Sequence, residues 1–272
     1  MDVPFWKMHG AGNDFILVDD RALAFPCGNS DWIASIAARR TGVGSDGVIL
    51  IQPSERADFR MRFFNPDGSE VEMCGNGARC VARLAHDIGA APAAMRIDTV
   101  AGILAAEALG EEVRLTMTDP AAWRLDAVLA TPEGPIEYGF VNTGVPHAVV
   151  LVEDLDRCDV AGRGRLIREH ADFAPAGTNA NFVQVVDGRT LRVRTYERGV
   201  EAETLACGTG IVAAALVCAR QGKAAPPVRV RSAGGYTLAV DFKTGAGSVR
   251  DVTLLGPAAY VFSGTLSAPD GA

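Results

Sequence analysis

Between Phe59 and Phe64 the chain reads FRMRFF, and from Leu191 to Thr195 it reads LRVRT. Apolar and basic residues alternate, or nearly so, which is the period of a strand with one face in a core. The same period, broken once by glycine, runs through MRIDTVAGILAAEA (Met95–Ala108) and VRVRSAGGYTLAVDF (Val228–Phe242), and each predicts strand, turn, strand. A different pattern follows Gly77 and Gly210. There ARCVARLAHDIG and IVAAALVCARQG are rich in Ala, Val and Leu and stop at Gly89 and Gly222. A helix that opens near the first glycines and is closed by a C-terminal one explains both ends. The second run is apolar nearly all round and is expected to be buried on most sides. The first carries arginines and is expected to be less enclosed. DWIASIAARR reads as a further helix and VILI (Val48–Ile51) as a strand.

The pattern is written twice. With Cys207 placed on Cys74, the same offset puts Glu203 on Glu70, Gly208 on Gly75, Gly210 on Gly77, Gly222 on Gly89 and Gly235 on Gly102. FRMRFFN then lies beside LRVRTYE with one residue of slippage, and FILVDD (Phe15–Asp20) falls about where VVLVED (Val149–Asp154) does. Two copies of a domain of roughly 130 residues account for this, and a solenoid does not. Many strands around one apolar helix per half predict an α+β fold. The boundary is placed near Asp119–Pro120. It gives domains 1–118, with a segment of about 262–272 packing back on the first, and 119–261. The ending SAPDGA reads as a loose tail.

Composition narrows the function. A formal charge of -7 and a pI near 5.2 argue against a nucleic-acid or anionic-membrane surface. The N-terminal stretch has no apolar core of the secretory kind, and no apolar run reaches spanning length. A cytoplasmic protein is expected. Its six cysteines form no Cys-x-x-Cys pair and read as reduced thiols. A free cysteine is ordinarily a small buried hydrophobe, and this is the reading for Cys80, Cys218, Cys27 and Cys158. No Cys or His spacing fits zinc, so no metal is expected. GVGSDG (Gly42–Gly47) satisfies Gly-x-Gly-x-x-Gly, but a helix precedes it and a strand follows, the reverse of a dinucleotide site. It reads as a loop. Lys7, Lys223 and Lys243 are the only lysines, and none has the setting of a pyridoxal phosphate lysine. No cofactor is expected.

Cys74 and Cys207 differ from the other four because each stands at the mouth of a predicted helix. A helix N-terminus presents unsatisfied N–H groups and the positive end of a dipole. It stabilises a thiolate and can hold a carboxylate. Two such ends suit inversion at a carbon acid: one cysteine as thiolate removes the α-proton, and the other as thiol delivers a proton to the opposite face. The alternative of another class is a non-catalytic carboxylate-binding protein. It needs the N–H groups and not the sulfurs.

MHGAGNDF, FFNPDGSEVEMCGNGARC and YERGVEAETLACGTG, in this order, closely resemble the diaminopimelate epimerase family. The resemblance implies two pseudo-symmetric α+β domains, each a curved, mixed, barrel-like sheet around a central helix. It implies an isomerase without pyridoxal phosphate or metal that interconverts LL- and meso-diaminopimelate for lysine and peptidoglycan synthesis, and a homodimer. Carried over by position, Cys74 and Cys207 are the two acid/base thiols. The amides of Gly75, Asn76, Gly208 and Thr209 hold the carboxylate at the reacting centre, Glu197 the ammonium and Arg198 the distal carboxylate. Asn13, Asn65 and Asn179 make polar contacts to substrate. His147, in GVPHAVV, resembles a histidine beside the catalytic groups. By themselves, Glu197 and Arg198 could equally be a surface ion pair, and the asparagines turn residues. Two positions depart from the family: Val145 stands where many relatives have Asn, and Gly47 where some have Gln. Both touch recognition of the substrate, so a related amino-acid racemase with another substrate is the alternative.

Overall fold

The computed structural model describes residues 2–245 and 248–268. The chain forms two compact units, Met1–Leu115 with Gly256–Ala272, and Thr116–Leu255.

The first unit holds β1 (Asp2–Gly10), β2 (Asn13–Asp19), α1 (Ser30–Ala37), β3 (Val48–Gln52), β4 (Phe59–Phe64), β5 (Glu70–Val71), α2 (Gly75–Asp87), β6 (Ala94–Thr99), β7 (Gly102–Leu109) and β8 (Glu112–Thr116). The second holds β9 (Ala121–Thr131), β10 (Gly134–Asn142), β11 (Pro146–Leu151), α3 (Val160–Arg168), β12 (Asn179–Asp187), β13 (Thr190–Glu197), β14 (Ala202–Thr204), α4 (Gly208–Arg220), β15 (Val228–Arg231), β16 (Thr237–Gly245) and β17 (Ser248–Pro257). The last strand, β18 (Ala259–Ser267), returns to pair antiparallel with β1. Ser267 thus belongs to a strand, and the rest of the expected tail, from residue 269, lies outside the described residues.

Strand pairing repeats the doubling seen in the sequence. In the first unit β18, β1, β2, β3, β4, β6, β7 and β8 follow one another, with β2–β3 and β4–β6 parallel and the other pairs antiparallel. In the second unit β9, β10, β11, β12, β13, β15, β16 and β17 do the same, with β11–β12 and β13–β15 parallel. Each parallel step has a reason in the chain. A long crossover, carrying one helix, is needed to bring a strand back in the same direction.

Each unit packs helices on both faces of its sheet. α2 lies against β1, β2, β3 and β7, and α4 against β10–β13, β15 and β16. On the other face of the first sheet, Ile33, Ile36 and Ala37 of α1 join Phe5, Ile16, Val18, Val48, Leu50 and Phe64 in one core cluster. In the second unit Val160 and Ile167 of α3 join Phe140, Ala148, Val150, Phe182 and Tyr196. Both central helices end where expected, on Gly89 (φ 68°) and Gly222 (φ 69°), left-handed positions that favour glycine.

Two expectations change. α2 is no less enclosed than α4: every residue from Asn76 to Ala85 except Arg83 is buried, and Arg79 is completely so. Cys80 and Cys218 are core residues, but Cys27 and Cys158 are only half-buried, at the edges of the two outer clusters. None of the helices among the described residues is long and apolar enough to cross a membrane.

Candidate active site

Cys74 and Cys207 occupy the same place in their units. Each is the N-cap residue of the central helix, with extended backbone (φ -136°, ψ 123° and φ -108°, ψ 108°), and no side chain caps either helix. The carbonyl of each accepts the first helical hydrogen bond, from Ala78 N at 2.8 Å and from Ile211 N at 2.9 Å. Glycine follows each cysteine, so the first helical residue has no Cβ to keep a ligand from the backbone. A carboxylate at such an end meets convergent N–H groups, those of Gly75 and Asn76 in one unit and Gly208 and Thr209 in the other.

Around Cys74, which is half-buried, the polar contacts run outward through two asparagines. Cys74 Sγ donates to Asn13 Oδ1 at 3.6 Å, and Asn76 Nδ2 donates to the same oxygen at 3.2 Å. Asn13 in turn donates from Nδ2 to Asp46 Oδ2 at 2.6 Å, and Asp46 accepts from Arg39 at 2.8 Å. The Gly42–Gly47 loop therefore reaches the site through Asp46, a residue that the sequence reading left without a role. Asn65 lies apart from this network. Its backbone closes a turn with Gly68 and Ser69, and its Nδ2 donates to Ser69 Oγ at 3.3 Å.

Cys207 is buried, its polar neighbour is on α4, and a hydrogen-bonded network on β11, β12 and β13 reaches the same helix turn through Asn181. Cys207 Sγ lies 3.6 Å from Thr209 Oγ1. A Cβ on Gly210 would stand 2.3 Å from Asn181 Oδ1 and 3.3 Å from Cys207 Sγ, so this glycine is what lets Asn181 approach the first turn. Asn181 accepts from Thr195 Oγ1 at 3.0 Å and donates to Ala148 O at 2.9 Å. Its Nδ2 also lies 3.2 Å from His147 Nδ1. His147 is fully buried, and desolvation, with Arg198 adding to it, pushes its pKa down to about 3. Asn179 uses both ends of its amide, donating to Pro146 O at 3.0 Å and accepting from Arg198 N at 2.8 Å. It holds the Arg198 backbone beside the Pro146 turn.

Glu197 and Arg198 end β13 and lead into the hairpin before α4. They form no ion pair with each other among the described residues. Glu197 accepts from Thr204 Oγ1 at 2.8 Å, and Arg198 donates from Nη1 to Ala176 O at 3.1 Å. Burial raises the Glu197 pKa, against the opposing effect of the Thr204 bond. A desolvated carboxylate without a cation is a receptor for an ammonium group, whose charge would offset that cost.

Similar proteins place this arrangement. A PhzF-family phenazine biosynthesis protein from Bacillus anthracis has the same fold, with a TM-score of 0.73 at 18% identity over 98% of this chain and all of that one. A hydroxyproline epimerase from Agrobacterium vitis superimposes with a TM-score of 0.70 at 19% identity, covering 99% of this chain and 94% of that one. The same fold is that of solved proteins described as a probable proline racemase, a hydroxyproline epimerase and a methylitaconate-delta-isomerase. Sequence narrows the class. The profile of the diaminopimelate epimerase family matches residues 5–123 and 139–258. The diaminopimelate epimerase of Aquifex aeolicus is 43% identical over 97% of both chains, and that of Chlorobaculum tepidum 45% identical over 96% of this chain and all of its own. The chain belongs to the diaminopimelate epimerase family.

Proposed function

We propose that this protein interconverts LL- and meso-diaminopimelate by proton transfer between two thiols and the substrate α-carbon, with no cofactor. The observation that carries this reading is the equivalence of Cys74 and Cys207, each at the uncapped start of a central helix, in a member of this family. The chemistry balances without a redox partner. One thiolate takes the α-proton, so a C–H bond breaks and an S–H bond forms; the other thiol gives its proton to the opposite face and becomes the thiolate. The pair carries one negative charge throughout, because two thiolates acting on one carbon would repel and two thiols supply no base.

Charge that develops on the α-carboxylate meets the N–H groups of Gly75, Asn76, Gly208 and Thr209. A well-placed donor of this kind contributes about 3–4 kcal/mol to the transition state. Glu197 takes the ammonium at the reacting centre. Arg198 takes the distal carboxylate, for which a planar two-pronged cation is suited. Asn13 orients Cys74, Asn179 holds Arg198, and Asn65 is assigned a polar contact at the substrate periphery. Lysine and peptidoglycan precursor synthesis, a cytoplasmic setting and a homodimer accompany the reading. For the homodimer, support comes from three successive apolar side chains exposed on β18: Tyr260, Val261 and Phe262.

The test is hydrogen exchange. Purified protein incubated with LL-diaminopimelate in deuterated water should place deuterium at Cα and produce the meso isomer. Exchange into another amino acid with none into diaminopimelate overturns the assignment of substrate.

A further inference from the structure

Asp46 lies in the Gly42–Gly47 loop, and it ends a chain of side chains that begins inside the core of the first unit. Arg79 Nη2 donates to Asn76 Oδ1 at 2.8 Å, Asn76 Nδ2 donates to Asn13 Oδ1 at 3.2 Å, and Asn13 Nδ2 donates to Asp46 Oδ2 at 2.6 Å. Asp46 also pairs with Arg39 at 2.8 Å, and its Oδ2 accepts from Asp14 N at 3.2 Å. The two ends of the chain fix its direction. A guanidinium only donates, and an ionised carboxylate only accepts. Turning Asn76 over would set nitrogen against nitrogen at Arg79, and turning Asn13 over would set oxygen against oxygen at Asp46.

Asn13 therefore shows Cys74 an oxygen. Cys74 Sγ donates to Asn13 Oδ1 at 3.6 Å, a bond that only the protonated thiol can make. A partner of this kind favours the neutral form, against the pull of the helix N-terminus toward the thiolate. The other titratable groups nearby have settings of their own. β2, which carries Asn13, packs on β1, β3 and α2. β3 has no titratable residue. On β1 Asp2 is exposed, Lys7 pairs with Asp14, and His9 accepts from Gly12 N through Nδ1. On β2 Asp14 shares Arg39 with Asp46, and Asp19 pairs with Arg21. Ahead of Cys74, Glu70 pairs with Arg62 and Glu72 is exposed. On α2 Arg83 pairs with Asp87, His86 is exposed in the last turn, and Cys80, fully buried and pushed up to about 12, keeps its proton. On β7, against which α2 also packs, Glu107 pairs with Arg114.

We propose that Asp46 is a positioning residue that holds the Asn13 amide with its oxygen toward Cys74, so that Cys74 rests as the protonated thiol. This rests on the two-thiol reading above, and within it Cys74 is the thiol that supplies a proton in the first turnover from rest. Its S–H bond breaks, a C–H bond forms at the α-carbon, and the electron pair of the S–H bond stays on sulfur. The Asn13 carbonyl then faces a thiolate, which it disfavours, so the next proton to arrive is drawn back to Cys74. The backbone of the loop keeps Asp46 in place for this. Ser45 N donates to Ala37 O at 2.9 Å and Asp46 N to Asp14 O at 2.8 Å, which fasten the loop to α1 on one side and to β2 on the other.

The experiment follows alkylation of Cys74 by iodoacetamide as a function of pH, read by peptide mass spectrometry on substrate-free protein. A thiol lowered by a helix N-terminus titrates at about 3.5–7.5, and the midpoint for Cys74 is expected above that range. Asp46→Ala should lower the midpoint by about one unit, a roughly tenfold gain in thiolate near neutral pH, because the Asn13 amide can then turn its N–H groups toward sulfur. Asp46→Asn, which still offers an oxygen to Asn13, should keep the midpoint of the unaltered protein. With Asn13→Ala already in place, Asp46→Ala should move nothing. A Cys74 midpoint inside or below that range in the unaltered protein overturns the proposal. So does a folded Asp46→Ala protein with an unmoved midpoint. An equal shift with Asn13 already removed overturns it too, since a loosened loop or a lost charge acts without Asn13. Should Asp46→Ala fail to fold, the midpoint of the unaltered protein decides. No diaminopimelate is present, so the result stands or falls apart from the choice of substrate.

Discussion

Asn181 donates from Nδ2 to His147 Nδ1 across 3.2 Å, inside the second unit where both residues are 0% exposed. The bond fixes the tautomer: Nδ1 accepts, so the neutral ring carries its proton on Nε2, and Nε2 has no protein partner among the described residues. With its pKa pushed from 6.5 to about 3, His147 stays neutral at any pH at which the protein works. It can orient neighbours or donate from Nε2, but it does not titrate in the activity profile.

That depressed pKa is also a statement about stability. The folded value lies below the unfolded one, so the contribution is fully present above pH 6.5 and is lost as pH falls toward about 3. Within this window the group alone tilts the unfolding free energy by about 1.4 kcal/mol per pH unit. Urea unfolding of the parent and of His147→Gln at several pH values from 7 down to 4 should show a flatter dependence for the variant, although the variant is less stable at pH 7. Equal slopes would remove the buried neutral histidine from the account.

Glu197 titrates in the opposite sense. Burial raises its folded pKa, so the stability it contributes is fully present below the unfolded value near 4.5 and is lost as pH rises through the raised folded one. Glu197→Gln should therefore melt higher than the parent at pH 7, with the difference shrinking toward pH 4. The same change removes the counter-charge for an ammonium group, so KM for diaminopimelate should rise by at least about tenfold. A variant that gains stability and keeps its KM would leave Glu197 as a strained structural carboxylate and nothing more.

For the thiols, Cys74→Ser and Cys207→Ser should each lower kcat by at least about a hundredfold, the usual worth of a positioned acid or base. Both should keep the circular dichroism of the parent, since a hydroxyl fits where a thiol did. A carboxylate-binding protein without catalysis would show no turnover to lose. Each variant should still bind diaminopimelate by calorimetry, which separates loss of chemistry from loss of the site.

How much of this was legible in the chain depends on what sets each feature. The strands FRMRFF and LRVRT, and the helices closed at Gly89 and Gly222, follow from local periodicity and a left-handed glycine, which leave marks in sequence. The position of Cys74 and Cys207 followed from the doubling. Arg79 was misjudged because an arginine in a helix is ordinarily a sign of solvent, and one of the acceptors it meets in the core, Pro257 O, is 178 residues away in sequence. Asp46 was hidden in a glycine-rich loop for the same reason: its bond to Asn13 spans 33 residues and no local pattern announces it. α3 gave no clear signal either. Its sequence, VAGRGRLIR, holds two glycines, and Gly164 is needed where a Cβ would lie 2.4 Å from Tyr196 Cβ.

Two glycines beside the first turn of α2, Gly10 at the end of β1 and Gly75 in the helix itself, separate the fold from the ligand site. A Cβ on Gly10 would stand 2.6 Å from the backbone oxygen of Asn76, which cannot swing aside, whereas one on Gly75 would meet nothing within 4 Å. Gly10→Ala must therefore displace the first turn of α2 or bend β1, at a cost of about 1–3 kcal/mol in stability. It should also disturb Cys74, whose partner Asn13 is bonded to Asn76. Gly75→Ala should leave the melting temperature unchanged or slightly higher, because alanine is the better helix former by about 1 kcal/mol. Its methyl group enters the space in which a carboxylate would sit against the helix end, so KM should rise while stability does not fall. Thermal melts and steady-state kinetics on the two variants give the pattern directly. A Gly75→Ala protein with unaltered KM would mean that the substrate carboxylate does not approach the start of α2.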